Sequence, residues 1–223
     1  MNAPLRHRLR VKPPRMDALA RLPLFFALGG KRAVIAGGNA AAAWKAELLS
    51  AAGAKVDVYC TGPCGELLAL ASDPPRGTIA ITRRTWRPDD LGGAALAIGT
   101  FDDDTAAAEF AAAARSAGIA VNVIDKPSFC DFSFGAIVNR SPLVVGISTD
   151  GAAPVFAQAI RARIEALLPQ GFSRWAAAAA RWRATVKASG LPFAGRRRFW
   201  QLDRKSTRLN SSHIQKSRMP SSA

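Results

Sequence analysis

Asp125 is the residue of this sequence best placed to do chemistry. It ends a predicted strand, VNVID, and the carboxyl ends of parallel strands form the edge where such sheets bind ligands. At that edge Asp125 can act as a general base, whereas the alternative is an ordinary aspartate in a surface turn. Both histidines, His7 and His213, lie in the tails, which excludes histidine-dependent nucleophiles and histidine-ligated metals from the body. Proton transfer in the body must use carboxylates, lysine, Tyr59 or a cofactor.

A glycine turn follows the first predicted strand. Gly37 and Gly38 stand between a strand over 33–36 and a helix over 40–51, where dinucleotide folds place the pyrophosphate of their ligand. Gly37 is expected to make the tight turn, and Asn39 replaces the second glycine of the usual pattern. A merely structural connection between strand and helix is the other interpretation.

Three consecutive aspartates, Asp102, Asp103 and Asp104, follow the fourth predicted strand at the same edge of the sheet. At least one of them is expected to cap the next helix, because acidic side chains satisfy the free N–H groups of a first turn. The other interpretation is a contact with a ligand, for which Asp102 is the candidate.

These residues need a parallel sheet to bring them together. Short apolar runs alternate with helical segments over 40–51 and 105–117, and the first of these helices carries Trp44, Leu48 and Ala51 on one face. The alternation predicts an α/β fold with helices covering a parallel sheet. The predicted strands are 33–36, 56–59, 79–82, 94–98 and 119–124.

The pattern changes after Asp125. Strands over 132–138 and 143–148 predict an antiparallel pair, followed by helices over 154–168 and 173–188. Two strands and two helices bury too little apolar surface to be stable alone, so a dimer is expected. The predicted apolar stripes of the helices consist of Phe156, Ile160, Ile164 and Leu167, and of Trp175, Trp182 and Val186.

The formal charge of +15 over 223 residues suggests nucleic acid, but the ends of the chain carry much of it. Residues 1–15 contribute +5 and 202–223 contribute +4, whereas 16–134 carry −2 and 135–201 carry +8. A neutral first part and a basic second part suit an acidic small molecule, and no nucleic-acid partner is expected. The expected domains are a disordered basic arm over 1–15, a nucleotide-binding domain over 16–134, a dimerisation and helical domain over 135–201, and a disordered, non-native tail over 202–223.

Three cysteines without a framework spacing indicate a reducing, cytoplasmic compartment. Cys60 and Cys64 are interpreted as incidental small apolar residues, the alternative being a redox or metal-binding pair. No apolar run reaches the roughly 18 residues of a membrane span, so no membrane association is expected.

Several motifs in order resemble the N-terminal module of siroheme synthase, the precorrin-2 dehydrogenase/sirohydrochlorin ferrochelatase family. The resemblance covers about 16–201, and the block from Arg140 to Pro169 is its most specific part. The motifs are Leu22-Pro23-Leu24-Phe25, the glycine turn with Lys45, Asp102–Thr105, Asn122-Val123-Ile124-Asp125, Arg140-Ser141-Pro142-Leu143, Ile147–Gly151, Leu167-Leu168-Pro169 and Arg196–Trp200.

The resemblance implies a homodimer with a Rossmann-like NAD domain, a small α+β dimerisation region and a helical tail. It implies oxidation of precorrin-2 to sirohydrochlorin with NAD, then insertion of Fe²⁺ as a substrate, with Asp125 catalytic in both steps and iron held only transiently near it. The implied tetrapyrrole is a polycarboxylate, which matches the basic second part. The cofactor-binding candidates are Gly37, Gly38, Asn39, Ala40, Ala41, Thr61, Gly62 and Asp102. The substrate-binding candidates are Asn122, Arg140 and Ser141. Two alternatives stay open: a dehydrogenase without chelatase activity, and a dimeric NAD-binding regulatory module without catalysis.

Overall fold

The computed structural model describes residues 17–151 and 153–200. The chain divides into two compact units, with the boundary between Phe134 and Gly135. The arm predicted over 1–15 and the tail predicted over 202–223 lie outside the described residues.

The first unit is a five-stranded parallel sheet with helices between its strands. Its elements are β1 (Arg32–Ala36), α1 (Ala40–Ala51), β2 (Lys55–Tyr59), α2 (Gly65–Ser72), β3 (Thr78–Thr82), β4 (Leu96–Gly99), α3 (Asp104–Ser116) and β5 (Ala120–Val123). The strand order β3-β2-β1-β4-β5 places β1 at the centre, paired in parallel with both β2 and β4. This is a Rossmann-like sheet, so the predicted α/β fold is confirmed, and each predicted strand end lies within two residues of the observed one.

The alternation of side chains along β1 divides the core between the two faces of the sheet. Ile35 packs on the face covered by α1, and Val34 packs on the face covered by α3. On the α3 face Phe110 is fully buried, with its ring centroid 4.9 Å from that of Trp86 and 5.3 Å from that of Phe101. Because both faces are covered, the central strand β1 is apolar from Ala33 to Ala36, and the sheet forms a fixed frame for the loops at its ends.

The apolar face predicted for helix α1 is wrong, because the face with Trp44, Leu48 and Ala51 is not the one that is buried. Trp44 is 52% exposed, and Ala51 is exposed as well. The helix is mostly alanine, and small side chains let its backbone approach the sheet closely while the bulky indole is left outside. The buried residues are Ala42, Ala43, Lys45, Ala46, Leu49 and Ser50.

Helix α2 was not predicted. It follows Pro63 and Cys64, begins at a glycine and has only eight residues. Leu67 is its buried anchor. Because a helix of eight residues has little stability on its own, packing of that side chain helps to hold it.

The second unit begins with an antiparallel pair, β6 (Ala136–Arg140) and β7 (Leu143–Ile147), as predicted. The first of these strands is shorter than expected, because Phe132 and Phe134 pack on the core of the first unit instead. Helices α4 (Pro154–Leu167) and α5 (Gly171–Ala188) follow, and 193–200 are also helical.

The helices of the second unit leave much of their apolar surface exposed. In α4 the side chains of Phe156 and Leu167 are 60% and 75% exposed, and Trp182 of α5 is 56% exposed. Ala157 and Val186 are the buried positions of these two helices. The predicted stripes therefore face inward only in part. Among the helices of the described chain, none combines the length and apolarity required to cross a membrane.

Candidate functional site

Loops from four strands meet at the carboxyl edge of the sheet. The N–H of Gly37 donates to Tyr59 O at 2.9 Å, and the N–H of Thr100 donates to Ala36 O at 2.9 Å. The N–H of Ile124 extends the same pattern by donating to the carbonyl of Gly99 at 2.9 Å. The winding of the sheet reverses at β1, and the edge beside that strand is where such folds bind ligands.

The two glycines of the turn are required by the protein's own packing. Gly37 has φ +133°, and a Cβ there would lie 1.8 Å from Thr100 Oγ1. A Cβ on Gly38 would lie 2.8 Å from both Cys60 Sγ and the carbonyl oxygen of Gly62. The turn therefore fits closely between the loops that follow β2 and β4, and a side chain at either position would push it outward.

Asn39 caps helix α1. Its backbone is extended, with φ −80° and ψ 177°, and its Oδ1 accepts a hydrogen bond from the N–H of Ala42 at 2.9 Å. The N–H of Ala43 donates to the carbonyl oxygen of Asn39. Ala40 and Ala41, both predicted to contact the cofactor, are left with N–H groups that no acceptor of the described residues satisfies. Two free donors at a helix N-terminus attract an anion such as a pyrophosphate.

The loop after β2 presents Thr61 and Gly62, both exposed beside the glycine turn. Cys60 is buried there, and burial raises the pKa of its thiol, which keeps the sulfur protonated and unreactive. Asp57 follows the glycine turn by about 20 residues, the spacing at which dinucleotide folds place the acid that binds the adenosine ribose. It lies in the middle of β2 and pairs with Arg32 at 2.6 Å. Asp57 is therefore paired within the sheet and does not lie at the edge where a ligand would bind.

The three consecutive aspartates have different partners. Asp103 caps α3 by accepting a hydrogen bond from Ala106 N at 2.8 Å, as expected for one of the three. Lys126 Nζ pairs with the carboxylate of Asp104 and donates to the main-chain carbonyl of Asp102 at 3.1 Å. Lys126 thereby ties the loop after β4 to the loop after β5. The Asp102 carboxylate is exposed and has no partner within the described part of the chain.

Asp125 lies on the turn that follows β5, with its side chain exposed. Its φ of +61° is left-handed, a conformation that aspartate adopts more readily than most residues. Cys130 fixes the turn, because its Sγ accepts from Val123 N at 3.2 Å and lies 3.3 Å from Lys126 O. The carboxylate is therefore held on a defined turn at the edge predicted for it.

Lys45 is a site residue for which the sequence analysis predicted no role. It is only 7% exposed, on the side of α1 that packs against the sheet. Its Nζ lies 4.2 Å from the ring centroid of Trp44 and 3.9 Å from that of Phe134. Burial lowers the pKa of Lys45 to about 8, while the charge of Asp125 raises it. Its burial could have been predicted from its spacing in the helix. Lys45 lies three residues after Ala42 and four before Leu49, so all three share the face of α1 that is buried.

Asn122 is buried in β5, one of three residues predicted to bind substrate. Its Nδ2 donates to the Phe132 carbonyl at 2.8 Å and contacts Cys130 Sγ at 3.4 Å. It joins β5 to the segment that carries Phe134, the residue whose ring lies against Lys45. A substrate contact by Asn122 stays a prediction.

Arg140 and Ser141, the other two substrate candidates, belong to the second unit. Arg140 is buried and donates from Nε to the Leu168 carbonyl at 2.6 Å, which joins the end of β6 to the end of α4. Ser141 Oγ donates to Asn139 Oδ1 at 2.6 Å. Both side chains have partners inside their own unit, and their role toward a substrate stays a prediction.

Comparison with protein families identifies the first unit. A family model described as "Putative NAD(P)-binding" matches residues 24–136, just over half of the chain. The chain belongs to this NAD(P)-binding family. A second model, sirohaem biosynthesis protein central, matches residues 140–167, which include the Arg-Ser-Pro-Leu motif.

Relatives confirm the resemblance to siroheme synthase. The chain is 40% identical over 179 residues to a siroheme synthase of Psychrobacter cryohalolentis, covering 80% of this chain and 34% of the relative. It is 42% identical over 180 residues to one from Pseudomonas entomophila, covering 81% of this chain and 38% of that protein. The chain thus spans about a third of the length of these relatives.

A solved structure shares the fold. The precorrin-2 dehydrogenase SirC superposes with a TM-score of 0.58 at 16% identity, covering 83% of this chain and all of that chain. At this identity the likeness concerns the fold, and it agrees with a Rossmann-like sheet followed by a helical region.

Proposed function

We propose that this chain oxidises precorrin-2 to sirohydrochlorin with NAD, using Asp125 as the general base. The observation that supports this most strongly is the position of Asp125 on the turn after β5, at the same sheet edge as the Gly37-Gly38 turn. The substrate is inferred from the names of the similar proteins, since the sequence matches siroheme synthases and the fold matches a precorrin-2 dehydrogenase.

The residues at the glycine turn fit a dinucleotide. Gly37 and Gly38 let the chain turn without side chains, and the free N–H groups of Ala40 and Ala41 are donors for a pyrophosphate. Thr61, Gly62 and Asp102 stand exposed on the adjoining loops as further contacts. When bound, NAD accepts the hydride that leaves the substrate.

The proton that does not leave with the hydride is accepted by a residue of this chain. Oxidation of precorrin-2 to sirohydrochlorin removes two electrons and two protons, of which one proton leaves as hydride with both electrons. The Asp125 carboxylate accepts the other, for which it needs to be ionised and within reach of the substrate. Because Asp125 is exposed, it can return that proton to solvent and be ready for another turnover.

A second step, insertion of Fe²⁺ into sirohydrochlorin, is proposed at the same carboxylate. Among the described residues no group of three or more histidine, cysteine, aspartate or glutamate side chains is arranged to hold a metal. We infer that Asp125 and the nitrogens of the tetrapyrrole would together bind the incoming Fe²⁺. Two of those nitrogens each lose a proton, and the exposed carboxylate would accept the two protons one after the other and release each to solvent. If the chain is a dehydrogenase only, added Fe²⁺ will enter sirohydrochlorin no faster than without protein.

We also propose that the active form is a homodimer. The second unit exposes large apolar side chains, including Val155 at 84%, Phe193 at 73% and Leu167 at 75%. Large apolar side chains with this much exposure are typical of a surface covered by another chain. A second copy of this chain is the partner implied by the dimerisation region of siroheme synthases.

The test is turnover by the full chain. Purified protein is mixed with precorrin-2 and NAD, formation of NADH and the tetrapyrrole spectrum are followed, and Fe²⁺ is then added. NADH formation followed by protein-dependent iron insertion supports both steps, whereas oxidation alone leaves the dehydrogenase. Binding of NAD without oxidation would favour the regulatory module.

A further inference from the structure

The loop that follows β2 contains no acidic residue. In dinucleotide folds that use NAD, an acid near the end of this strand binds the adenosine ribose, whereas folds that use NADP place an arginine nearby for its additional phosphate. Here Asp57 lies inside the strand and is paired with Arg32 at 2.6 Å. The loop itself, residues 60–64, reads Cys-Thr-Gly-Pro-Cys. The next acid, Glu66, lies in the first turn of α2, where the N–H groups of the helix partly offset its charge.

This loop lies directly against the glycine turn. The N–H of Cys64 donates to the Gly38 carbonyl at 2.8 Å, and a Cβ on Gly38 would lie 2.8 Å from the carbonyl oxygen of Gly62. Thr61 is exposed on the same loop. Because the N-terminus of α1 beside this turn is expected to hold the pyrophosphate, the adenosine ribose of a dinucleotide is expected at the loop after β2.

The segment after β3 brings an arginine to the same loop. The carbonyl oxygen of Thr82 accepts hydrogen bonds from the N–H of Cys60 at 3.2 Å and from the N–H of Arg84 at 2.9 Å. Arg83 is therefore at the tip of a turn that is joined to the first residue of the loop after β2, and its side chain is exposed. Burial raises the pKa of the Cys60 thiol and the charge of Arg83 opposes this, which agrees with a guanidinium near the loop.

The neighbouring arginine, Arg84, already has partners. Its two terminal nitrogens each donate to the Asp90 carboxylate at 2.7 Å, and its guanidinium lies 4.8 Å from the ring centroid of Tyr59. Arg83, by contrast, makes no hydrogen bond or ion pair with the residues that the structure describes. Its donors can therefore bind a phosphate, for which the planar guanidinium is well suited.

We propose that the dinucleotide site accepts NADP as well as NAD, with Arg83 binding the phosphate carried by the adenosine ribose of NADP. The hydroxyl of Thr61 is a second donor on the adjoining loop. The inference rests on the proposed function and specifies its cofactor further. The reaction at Asp125 is the same with either dinucleotide, because both accept the hydride on an identical nicotinamide ring.

Cofactor selection can be measured without turnover. The full chain is titrated calorimetrically with NAD and with NADP, and the Kd for NADP should be lower than that for NAD or within about threefold of it. Arg83→Ala should raise the Kd for NADP by about 10- to 100-fold, the loss expected when a phosphate loses a charged hydrogen-bond donor. The Kd for NAD should change by less than about twofold, because NAD lacks that phosphate.

Two further variants separate a direct contact from a general effect of charge. Arg76→Ala removes an exposed arginine just before β3, at the opposite edge of the sheet, and it should bind both dinucleotides like the wild type. Arg83→Glu places an acid beside the loop after β2. It should weaken NADP more than Arg83→Ala does, while NAD still binds, because a carboxylate repels the phosphate and can accept a hydrogen bond from a ribose hydroxyl.

Failure of this inference is distinguishable from failure of the proposed function. If the wild type binds NAD but binds NADP more than about threefold less tightly, or if Arg83→Ala weakens NADP no more than Arg76→Ala does, the inference is wrong and the proposed function stands. If both dinucleotides bind as expected but precorrin-2 is not oxidised with either, the proposed function fails and the role of Arg83 stands. A wild type that binds neither dinucleotide overturns both.

Discussion

Lys45 and Asp125 differ sharply in exposure. The amine is buried under α1, whereas the carboxylate stands on an exposed turn that Cys130 fixes. Burial of Lys45 opposes its charge and lowers its pKa to about 8, so the ammonium group is expected to destabilise the fold.

Replacement of Lys45 by methionine should therefore stabilise the protein. At pH 7 the free energy of unfolding should rise by about 1 kcal/mol, because a neutral side chain of similar length avoids the desolvation of the ammonium. Chemical denaturation at pH 7 measures this, with Lys55→Met as the control that should stay within about 0.5 kcal/mol of the wild type.

The same substitution changes how stability depends on pH. The pKa of Lys45 is about 8 in the folded state and near its ordinary value of 10.5 when unfolded, so the unfolded chain binds more protons between these limits. The free energy of unfolding of the wild type should therefore rise from pH 8 toward 10.5, and the advantage of Lys45→Met should shrink. A constant difference between pH 7 and 9.5 would contradict the burial of a charged amine.

The N-terminus of α1 is the element that would meet the cofactor's phosphates. The side chain of Asn39 accepts a hydrogen bond from the N–H of Ala42, and the N–H groups of Ala40 and Ala41 are left to donate to a ligand. The same side chain is thus a helix cap and a neighbour of the proposed pyrophosphate.

Two substitutions at Asn39 test that arrangement. Asn39→Asp keeps the cap but adds a negative charge, so the Kd for NAD should increase by about tenfold. Asn39→Gly removes the side chain and frees the N–H of Ala42, so the Kd should decrease, at a stability cost of only a few tenths of a kcal/mol. Calorimetric titration with NAD gives both values, and an Asp variant that binds like the wild type would place the pyrophosphate elsewhere.

The elements also show what the sequence could and could not predict. Strands such as β1 are short apolar runs followed by a turn, so their positions along the chain and the edge that carries Asp125 followed from pattern alone. The buried side of α1 did not, because a helix made mostly of alanine has almost no amphipathic signal and the apparent apolar face contained the exposed Trp44. The burial of Lys45 was not predicted for that reason, since it depends on tertiary packing.

At the scale of the whole molecule, the second unit does not cover its own apolar surface. Phe156 and Trp182 are each more than half exposed, in agreement with the expectation that two strands and two helices cannot form a complete core. The homodimer proposed above would bury such side chains.

A charge placed on this surface should disrupt the dimer. Phe156→Glu should shift the mass measured by light scattering from dimer to monomer at micromolar concentration, because a carboxylate would be desolvated in the interface. Gln158→Glu is the control, since it adds the same charge at another exposed position of α4. A wild type that is monomeric at every concentration would contradict the proposal directly.

The most direct measurement of the central claim is NADH formation from precorrin-2 by the wild type and by Asp125→Asn, with NAD binding measured on both. The amide is nearly isosteric but cannot accept a proton, so turnover should fall by about 10²- to 10⁴-fold while the Kd for NAD stays the same. If Asp125→Asn oxidises precorrin-2 at the rate of the wild type, Asp125 is not the base and the account of this site is wrong.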